Sequence, residues 1–233
     1  MSELPLPKTH LIREMAEDER PRERLLGNGG GTLSDAEVVA VLLRTGTRGR
    51  SVLDLARALL VHNGGLEGLC GANAAELKCS GLGPAKTSSV LAAVELGRRL
   101  ARAELPSGEL LSRPAAVARY LSLRYSVRGQ EVMGALYLDT RNRLLSEREI
   151  FRGTLNRAAV EPRAILKFGL LRDAAGLVLF HNHPSGDPSP SVEDLSFTRR
   201  LAEAGDLIGV RLVDHLILGG GRRWVSLRQR GAW

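Results

Sequence analysis

Cysteine is scarce in this sequence, since only Cys70 and Cys79 occur among 233 residues. Their spacing matches neither a CxxC zinc knuckle nor the cysteine framework of a disulfide-stapled secreted domain. Long apolar runs are missing too, because stretches such as residues 38–43 fall far short of the roughly 20 residues that span a membrane. The N-terminal residues lack the apolar core of a signal peptide. We therefore expect a soluble, cytoplasmic protein with reduced thiols and no membrane partner.

Several signatures of metal enzymes are absent as well. The sequence contains neither the HExxH motif of zinc proteases nor the HxE and PCxxC pair of zinc deaminases. The adjacent letters HNH at residues 181–183 do not indicate an HNH nuclease, because the three residues of that motif are dispersed over a ββα unit.

Lysine is rare in the second half of the chain, where arginine supplies nearly all of the positive charge. Residues 1–109 contain 14 Lys and Arg against 14 Asp and Glu, whereas residues 110–233 contain 19 against 12. The whole net charge of +7 thus lies in the second half, in which Lys167 is the one lysine. Arginine suits phosphate and carboxylate groups, which favours an anionic partner. A GC-rich genome would explain the same composition without any functional reason.

Hydrophobic periodicity divides the chain into two domains. In the first hundred residues, capping patterns at residues 34–37 and 51–54 precede apolar runs, and a long helical stretch covers residues 85–102. We predict an all-helical domain over residues 1–106. Proline and glycine in residues 105–109 mark the linker that follows.

The second domain, residues 112–233, alternates strand-like and helical segments. Strand-like apolar runs occur at residues 131–139, 176–180, 214–218 and 223–227, and amphipathic helical patterns at residues 163–173 and 192–204. These patterns predict an α/β-type domain. The fold class expected for the whole chain is therefore α+β.

Two histidines follow a short apolar run in the second domain. His181 and His183 are two residues apart at the end of a predicted strand, where the alternation of side chains places both imidazoles on one face. Asp194 lies eleven residues later, in the first turn of the next predicted helix. Two imidazoles and a carboxylate suit zinc and leave the fourth tetrahedral position for water. We therefore predict one catalytic Zn²⁺ per chain.

A hydrolytic site also needs a group that takes the proton of the attacking water. Glu131, which opens its predicted strand, is the candidate, and Glu149 and Glu161 are its competitors. Ser191 could donate a hydrogen bond to the oxyanion that forms when water adds to a carbonyl.

Each of these residues also has a purely structural interpretation. Residues 191–194 fit a helix cap in which Asp194 is simply an acidic residue of the first turn, although capping and ligation can coexist. A lone buried histidine is more often a packing residue. His215, in an apolar strand, is therefore expected to lie in the core or to support a ligand. Two histidines in register, followed by proline and a well-placed aspartate, favour a metal site.

The segment His181-Asn182-His183-Pro184, followed further on by Ser191 and Asp194, resembles the JAMM motif of MPN-type zinc metalloproteases. Over nearly its whole length the chain is similar to the bacterial RadC family, in segments such as LSDAEVVAVLLRTGTRG, GLGPAKTSSVLAAVELGRR and HNHPSGDPSPS. The resemblance implies an MPN-like domain with a mixed sheet. The roles that it implies are zinc ligation by His181, His183 and Asp194, acid/base catalysis by Glu131 and oxyanion assistance by Ser191.

Residues 80–86, SGLGPAK, are similar to the hairpin of helix-hairpin-helix DNA-binding units. Gly81 and Gly83 would let the backbone approach a phosphate closely, and Lys86 would add positive charge. The structural alternative is a tight turn between helices, which needs glycine for its φ angles. Because the first half has no net charge, both interpretations stay open.

Three functions fit these features. The first is a zinc-dependent hydrolase that cleaves a peptide or isopeptide amide in a peptide or protein substrate. The second is a metal-dependent nuclease that processes DNA, in line with the link to DNA repair that the family's name suggests. The third is a DNA-binding adaptor with an inert zinc site, against which the intact ligands and the intact glutamate argue.

Overall fold

The computed structural model describes residues 12–77, 81–103, 114–125, 130–153, 161–220 and 223–233. The chain divides into two compact units, Met1–Leu96 and Gly97–Trp233. The boundary falls within one long helix, Pro84–Ala103, whereas the linker predicted at residues 105–109 lies outside the described residues. Helices and a mixed five-stranded sheet confirm the α+β class. None of the described helices has the length and apolar character needed to cross a membrane.

The first unit is helical, as predicted. Its helices are α1 (Pro21–Asn28), α2 (Asp35–Leu43), α3 (Val52–Asn63), α4 (Leu66–Gly71) and the first part of α5 (Pro84–Ala103). Helices α2 and α3 begin after serines whose hydroxyls accept hydrogen bonds from backbone N–H groups of the first turn, which satisfies donors that have no partner inside the helix. The core is apolar and includes the fully buried Leu55 and Leu59.

The second unit continues with a helix, a sheet and two further helices. Its elements are α6 (Pro114–Tyr125), β1 (Glu131–Leu138), β2 (Leu144–Gly153), α7 (Pro162–Leu170), β3 (Gly176–Asn182), α8 (Val192–Ile208), β4 (Arg211–Leu218) and β5 (Trp224–Ser226). The strand order in the sheet is β2-β1-β3-β4-β5. β3 and β4 are parallel and α8 lies between them in the chain, whereas the other neighbouring pairs are antiparallel. The mixed sheet expected from the family resemblance is thus present.

The sheet has an apolar layer on each face. On one face, α6 contributes Val117 and Leu121 to a core with Val178 and Phe180 of β3. On the other face, α7 and α8 pack against the alternate residues of the same strands. The strands β1, β3 and β4 are buried along nearly their whole length because both of their faces are covered.

A glycine on β1 allows the first of these layers to close. A Cβ atom added at Gly134 would lie 2.3 Å from Cζ of Phe180 and 2.8 Å from the carbonyl oxygen of Arg148. Any side chain at this position would therefore displace either the neighbouring aromatic ring or the paired strand. The close approach fixes the packing of β1 against β3, which carries the candidate site.

Two elements of the second unit had no counterpart among the sequence predictions. The strand β2 forms an edge of the sheet and is partly exposed along its length, and its segment SEREI carries charges where a buried strand would carry apolar residues. The helix α6 also lacks a strong apolar period in its sequence. β4, by contrast, was predicted, but it begins three residues earlier than the apolar run at residues 214–218.

Candidate metal centre

The centre begins at the carboxyl end of β3, where His181 is fully buried and the side chain of His183 is 14% exposed. Strand alternation sends both imidazoles to the same face, and their Nε2 atoms lie 2.9 Å apart. The antiparallel pairing of β3 with β1 extends to His181, opposite Met133. His181 therefore lies within the sheet, and His183 lies just beyond the carboxyl end of β3.

Asp194 reaches the same point from the first turn of α8. Its carboxylate oxygens lie 3.1 Å from Nε2 of His181 and 3.5 Å from Nε2 of His183, and the side chain is 2% exposed. Ser191 caps the helix: its N–H and its hydroxyl donate to Oδ2 of Asp194 at 2.7 and 2.6 Å. Capping and approach to the histidines therefore coexist in this structure.

The hydroxyl of Ser191 is engaged by this cap. It donates its single proton to Asp194 and accepts a hydrogen bond from the N–H of Asp194 at 3.1 Å. The structure thus places Ser191 beside the candidate ligands, where it orients one of them. Its assignment as an oxyanion donor stays a prediction, and that role requires its proton to turn away from Asp194.

Glu131 joins the two histidines from the first position of β1. One carboxylate oxygen of Glu131 and one ring nitrogen of each histidine lie within 4.8 Å of one another. Its two competitors are placed differently. Glu149 forms a two-point ion pair with Arg152 at 2.8 and 2.7 Å, and Glu161 is the N-cap residue of α7.

The backbone around Glu131 is held by an amide that lies between the two histidines in the chain. Oδ1 of Asn182 accepts from the N–H of Val132 at 2.7 Å, and Nδ2 of Asn182 donates to the carbonyl of Gln130 at 3.0 Å. The side chain is buried. The side chain of Asn182 therefore extends the pairing of β3 with β1 beyond the last backbone pair, His181 with Met133. It holds the residues on both sides of Glu131.

The loop after His183 is held against the turn between β4 and β5. The N–H of Gly220 and the guanidinium of Arg223 donate to the carbonyl of Gly186 at 2.9 and 2.7 Å. In the next residue, the carbonyl of Asp187 lies 2.7 Å from Nδ1 of His183. Because a carbonyl can only accept, Nδ1 carries the proton, and the neutral ring presents the lone pair of Nε2 to His181 and Asp194.

The charges of the three groups are coupled. Burial lowers the pKa of His181, whereas the hydrogen bond to Asp194 raises the pKa of His183. Burial by itself would raise the pKa of the Asp194 carboxyl, but its hydrogen bonds with the two histidines outweigh burial and hold that pKa well below the usual range. Asp194 is therefore ionised.

These residues fit a zinc ion. Ligand atoms at about 2.0–2.1 Å from a tetrahedral zinc are separated from one another by about 3.3 Å. The ring nitrogens and carboxylate oxygens here are 2.9, 3.1 and 3.5 Å apart. Lone pairs and a carboxylate that converge this closely repel one another unless a proton or a metal cation lies among them. Two imidazoles and one carboxylate are also a donor set that zinc accepts.

Sequence reasoning missed two side chains that support this centre. They are Asn182, which lies between the two histidines, and Thr198 of α8. Thr198 lies four residues after Asp194, on the same face of α8, and it contacts His215 in the fully buried interior. The spacing of four was the available signal.

Packing explains part of the glycine-containing segment at residues 81–86 of the first unit. Gly81 has a φ of 94°, and a Cβ atom there would lie 2.6 Å from a methyl carbon of Thr47. Nζ of Lys86 donates to the carbonyl of Gly46 at 2.9 Å. A Cβ at Gly83 would meet nothing within 4 Å. Contacts with residues 46 and 47 thus account for Gly81 and Lys86, and DNA contact through Gly81, Gly83 and Lys86 stays a prediction.

The fold and the histidine pair define a domain of the JAB class, and comparison with known proteins agrees. Residues 111–232 match the family described as RadC-like JAB domain, and residues 12–88 match the family described as UPF0758 N-terminal. The chain therefore belongs to the RadC-like UPF0758 family.

Relatives span nearly the full length of the chain. A UPF0758 protein of Geobacillus sp. (strain WCH70) is 44% identical over 224 residues, which are 96% of this chain and 99% of the relative. A UPF0758 protein of Chloroflexus aurantiacus is 45% identical over 94% of this chain and 96% of its own. A third, from Marinobacter nauticus, is 46% identical over 92% and 96%. Both units of the chain therefore belong to the shared architecture.

Proposed function

We propose that this protein is a zinc-dependent hydrolase that cleaves a peptide or isopeptide amide. In this proposal His181, His183 and Asp194 hold one zinc ion and Glu131 is the general acid/base. The observation that carries the proposal is the convergence of two imidazole nitrogens and a buried carboxylate within 2.9–3.5 Å, with a second carboxylate beside them.

The protein's own groups supply the proton transfer and the orientation. When bound, zinc polarises a carbonyl and lowers the pKa of water. Glu131 accepts a proton from the attacking water and passes it to the leaving amine nitrogen. General acid/base catalysis requires Glu131 to lie within hydrogen-bond distance of both groups. Asn182 keeps Glu131 in place through the backbone of its neighbours. Ser191 holds Asp194 through two hydrogen bonds.

The test combines metal analysis with a panel of substrates. Purified protein is analysed for zinc and then incubated with a peptide library, isopeptide-linked peptides and single-stranded, duplex and branched DNA. We expect about one zinc per chain and cleavage in the amide arms alone. Glu131→Gln is the blank, and Glu149→Gln, which changes an acid of the neighbouring strand β2 that pairs with Arg152, is the matched control that should keep activity.

Each result of the panel has a distinct meaning. Cleavage confined to DNA supports the nuclease alternative, and a zinc-loaded protein without any hydrolysis supports the adaptor alternative. A protein that does not bind zinc contradicts the proposed hydrolase. Full activity of Glu131→Gln on a cleaved substrate removes Glu131 from the acid/base role.

A further inference from the structure

A chain of three buried side chains runs from the metal centre into the interior. Nδ1 of His181 lies 2.8 Å from Nε2 of His215, and Nδ1 of His215 lies 2.6 Å from Oγ1 of Thr198. Oγ1 of Thr198 also lies 2.6 Å from the carbonyl oxygen of Asp194. All three side chains are fully buried. The chain thus connects β3, β4 and α8 behind the candidate ligands.

The carbonyl of Asp194 fixes the direction of the hydrogen bond at one end. A carbonyl oxygen only accepts, so the proton between it and Thr198 is the hydroxyl proton. Without that proton, two oxygens at 2.6 Å would repel each other inside the protein. The hydroxyl has no second proton, so it must accept from Nδ1 of His215.

The remaining protons follow along the chain. A neutral His215 that carries its proton on Nδ1 has a lone pair on Nε2, which accepts from Nδ1 of His181. His181 then has its own lone pair on Nε2, the atom that lies 2.9 Å from His183 and 3.1 Å from Asp194. Complete burial of both rings disfavours the charged imidazolium, which would break this order.

We propose that Thr198 is a positioning residue that, through His215, keeps the proton of His181 on Nδ1 and so presents its Nε2 lone pair to the metal. The inference rests on the proposed zinc site. The partner of a ligating histidine commonly sets its tautomer and raises its basicity. Here that partner is a second histidine, and the hydroxyl behind it selects the tautomer of both rings.

The experiment uses the full chain with Thr198→Val, which keeps the shape and removes the hydroxyl, and Thr198→Ser, which keeps the hydroxyl. Nitrogen-15 NMR of the histidine rings in the metal-free protein reports which nitrogen of His181 and His215 is protonated. Competition with a chromophoric chelator measures the affinity for zinc. Circular dichroism of each variant verifies the fold.

We expect the wild type and Thr198→Ser to carry the protons of both rings on Nδ1. In Thr198→Val the protons should move to Nε2 or divide between the two nitrogens. Zinc affinity should fall by about 10–100-fold in Thr198→Val, the range found for partners of metal ligands, and Thr198→Ser should stay close to the wild type.

Several outcomes would overturn the inference. A wild-type His181 protonated on Nε2 does so by itself, even if the valine variant fails to fold. Unchanged tautomers of His181 and His215 in Thr198→Val would also overturn the inference, whether or not zinc affinity falls. A loss of affinity without a change of tautomer would reflect altered packing. A wild type that binds no zinc contradicts the proposed hydrolase, yet the ring protonation still decides the role of Thr198.

Discussion

Helices α3 and α8 begin with the same local structure in the two units of the molecule. In α3, the hydroxyl of Ser51 accepts from the N–H of Asp54 at 3.1 Å and donates to its carboxylate at 2.8 Å. In α8, Ser191 makes the same two contacts with Asp194 at 3.1 and 2.6 Å. Both serines therefore satisfy orphan donors of a first turn.

The surroundings of the two aspartates differ. The side chain of Asp54 is 31% exposed and lies 3.5 Å from the guanidinium of Arg57, one turn further along the same helix. The side chain of Asp194 is 2% exposed and faces the two histidines at the end of β3. One local motif thus serves as a cap in one unit and as a cap with a candidate ligand in the other. The difference lies in what the fold packs against it.

The largest contrast is expected from removing the charge of each aspartate. Asp194→Asn keeps the size of the side chain but takes a negative ligand from the centre. Zinc affinity should therefore fall by more than about 100-fold, which exceeds the loss expected for residues that only support a ligand. Asp54→Asn should leave zinc affinity unchanged. Chelator competition on both variants measures the effect, and equal losses would show that the two caps are functionally equivalent.

Packing should matter more than charge in α3. Leu59 is fully buried, and Leu59→Ala should lower the free energy of unfolding of its unit by about 2–5 kcal/mol because it leaves a cavity. Val61, on the same helix, is 82% exposed, and Val61→Ala should change it by no more than about 0.5 kcal/mol. Urea denaturation gives both values.

Zinc content is the second measurement on these two variants. It should stay at the wild-type level in Leu59→Ala and in Val61→Ala under conditions where the first unit is folded. A loss of zinc in Leu59→Ala alone would mean that the core of the first unit is needed for the metal centre, which would weaken the contrast between α3 and α8.

Replacing each serine separates capping from ligand orientation. Ser51→Ala and Ser191→Ala should each cost about 1 kcal/mol of stability, the usual value for an N-cap. Ser191→Ala alone should also reduce zinc affinity, by about 10-fold, because the hydroxyl that orients Asp194 is lost. Denaturation and chelator competition are measured on the same preparations. A zinc affinity unaffected by Ser191→Ala would restrict that serine to capping.

The smallest expected effect is the pH dependence of the metal-free protein. The lowered pKa of Asp194 gives stability that is present above its ordinary pKa of about 3.9 and is lost as the pH falls through the lowered value. The raised pKa of His183 gives stability that is present below about pH 6.5 and is lost as the pH rises through the raised value. Both contributions coincide between about pH 4 and 6.5.

Asp194→Asn should therefore destabilise the metal-free protein most within that window and less at higher pH. Asp54→Asn should show a nearly constant effect between about pH 5 and 8, because its ion-pair partner Arg57 stays charged. Urea denaturation at a series of pH values measures both. An effect of Asp194→Asn that is as large at about pH 8 as it is within the window would contradict the coupling between Asp194 and His183.

Much of the fold was predictable from local patterns. The caps before α2, α3 and α8 and the apolar runs of β1, β3 and β4 are signals that neighbouring residues carry. The edge strand β2 was missed because charged and partly exposed residues obscure its alternation, and edge strands often carry such charges. The charge split between the halves of the chain predicted an anionic partner, which stays a prediction.

The sequence by itself determined that His181 and His183 share a face, because side chains alternate along any strand. It also determined that Ser191 caps a helix whose first turn contains Asp194, because capping involves only neighbours in the chain. Only the tertiary structure decided that this cap, unlike that of Ser51 and Asp54, lies against the histidines. It also brought Thr198 and His215 together behind His181. These contacts join residues that are distant in the chain, and only the packing of α8 across β3 and β4 sets their distances.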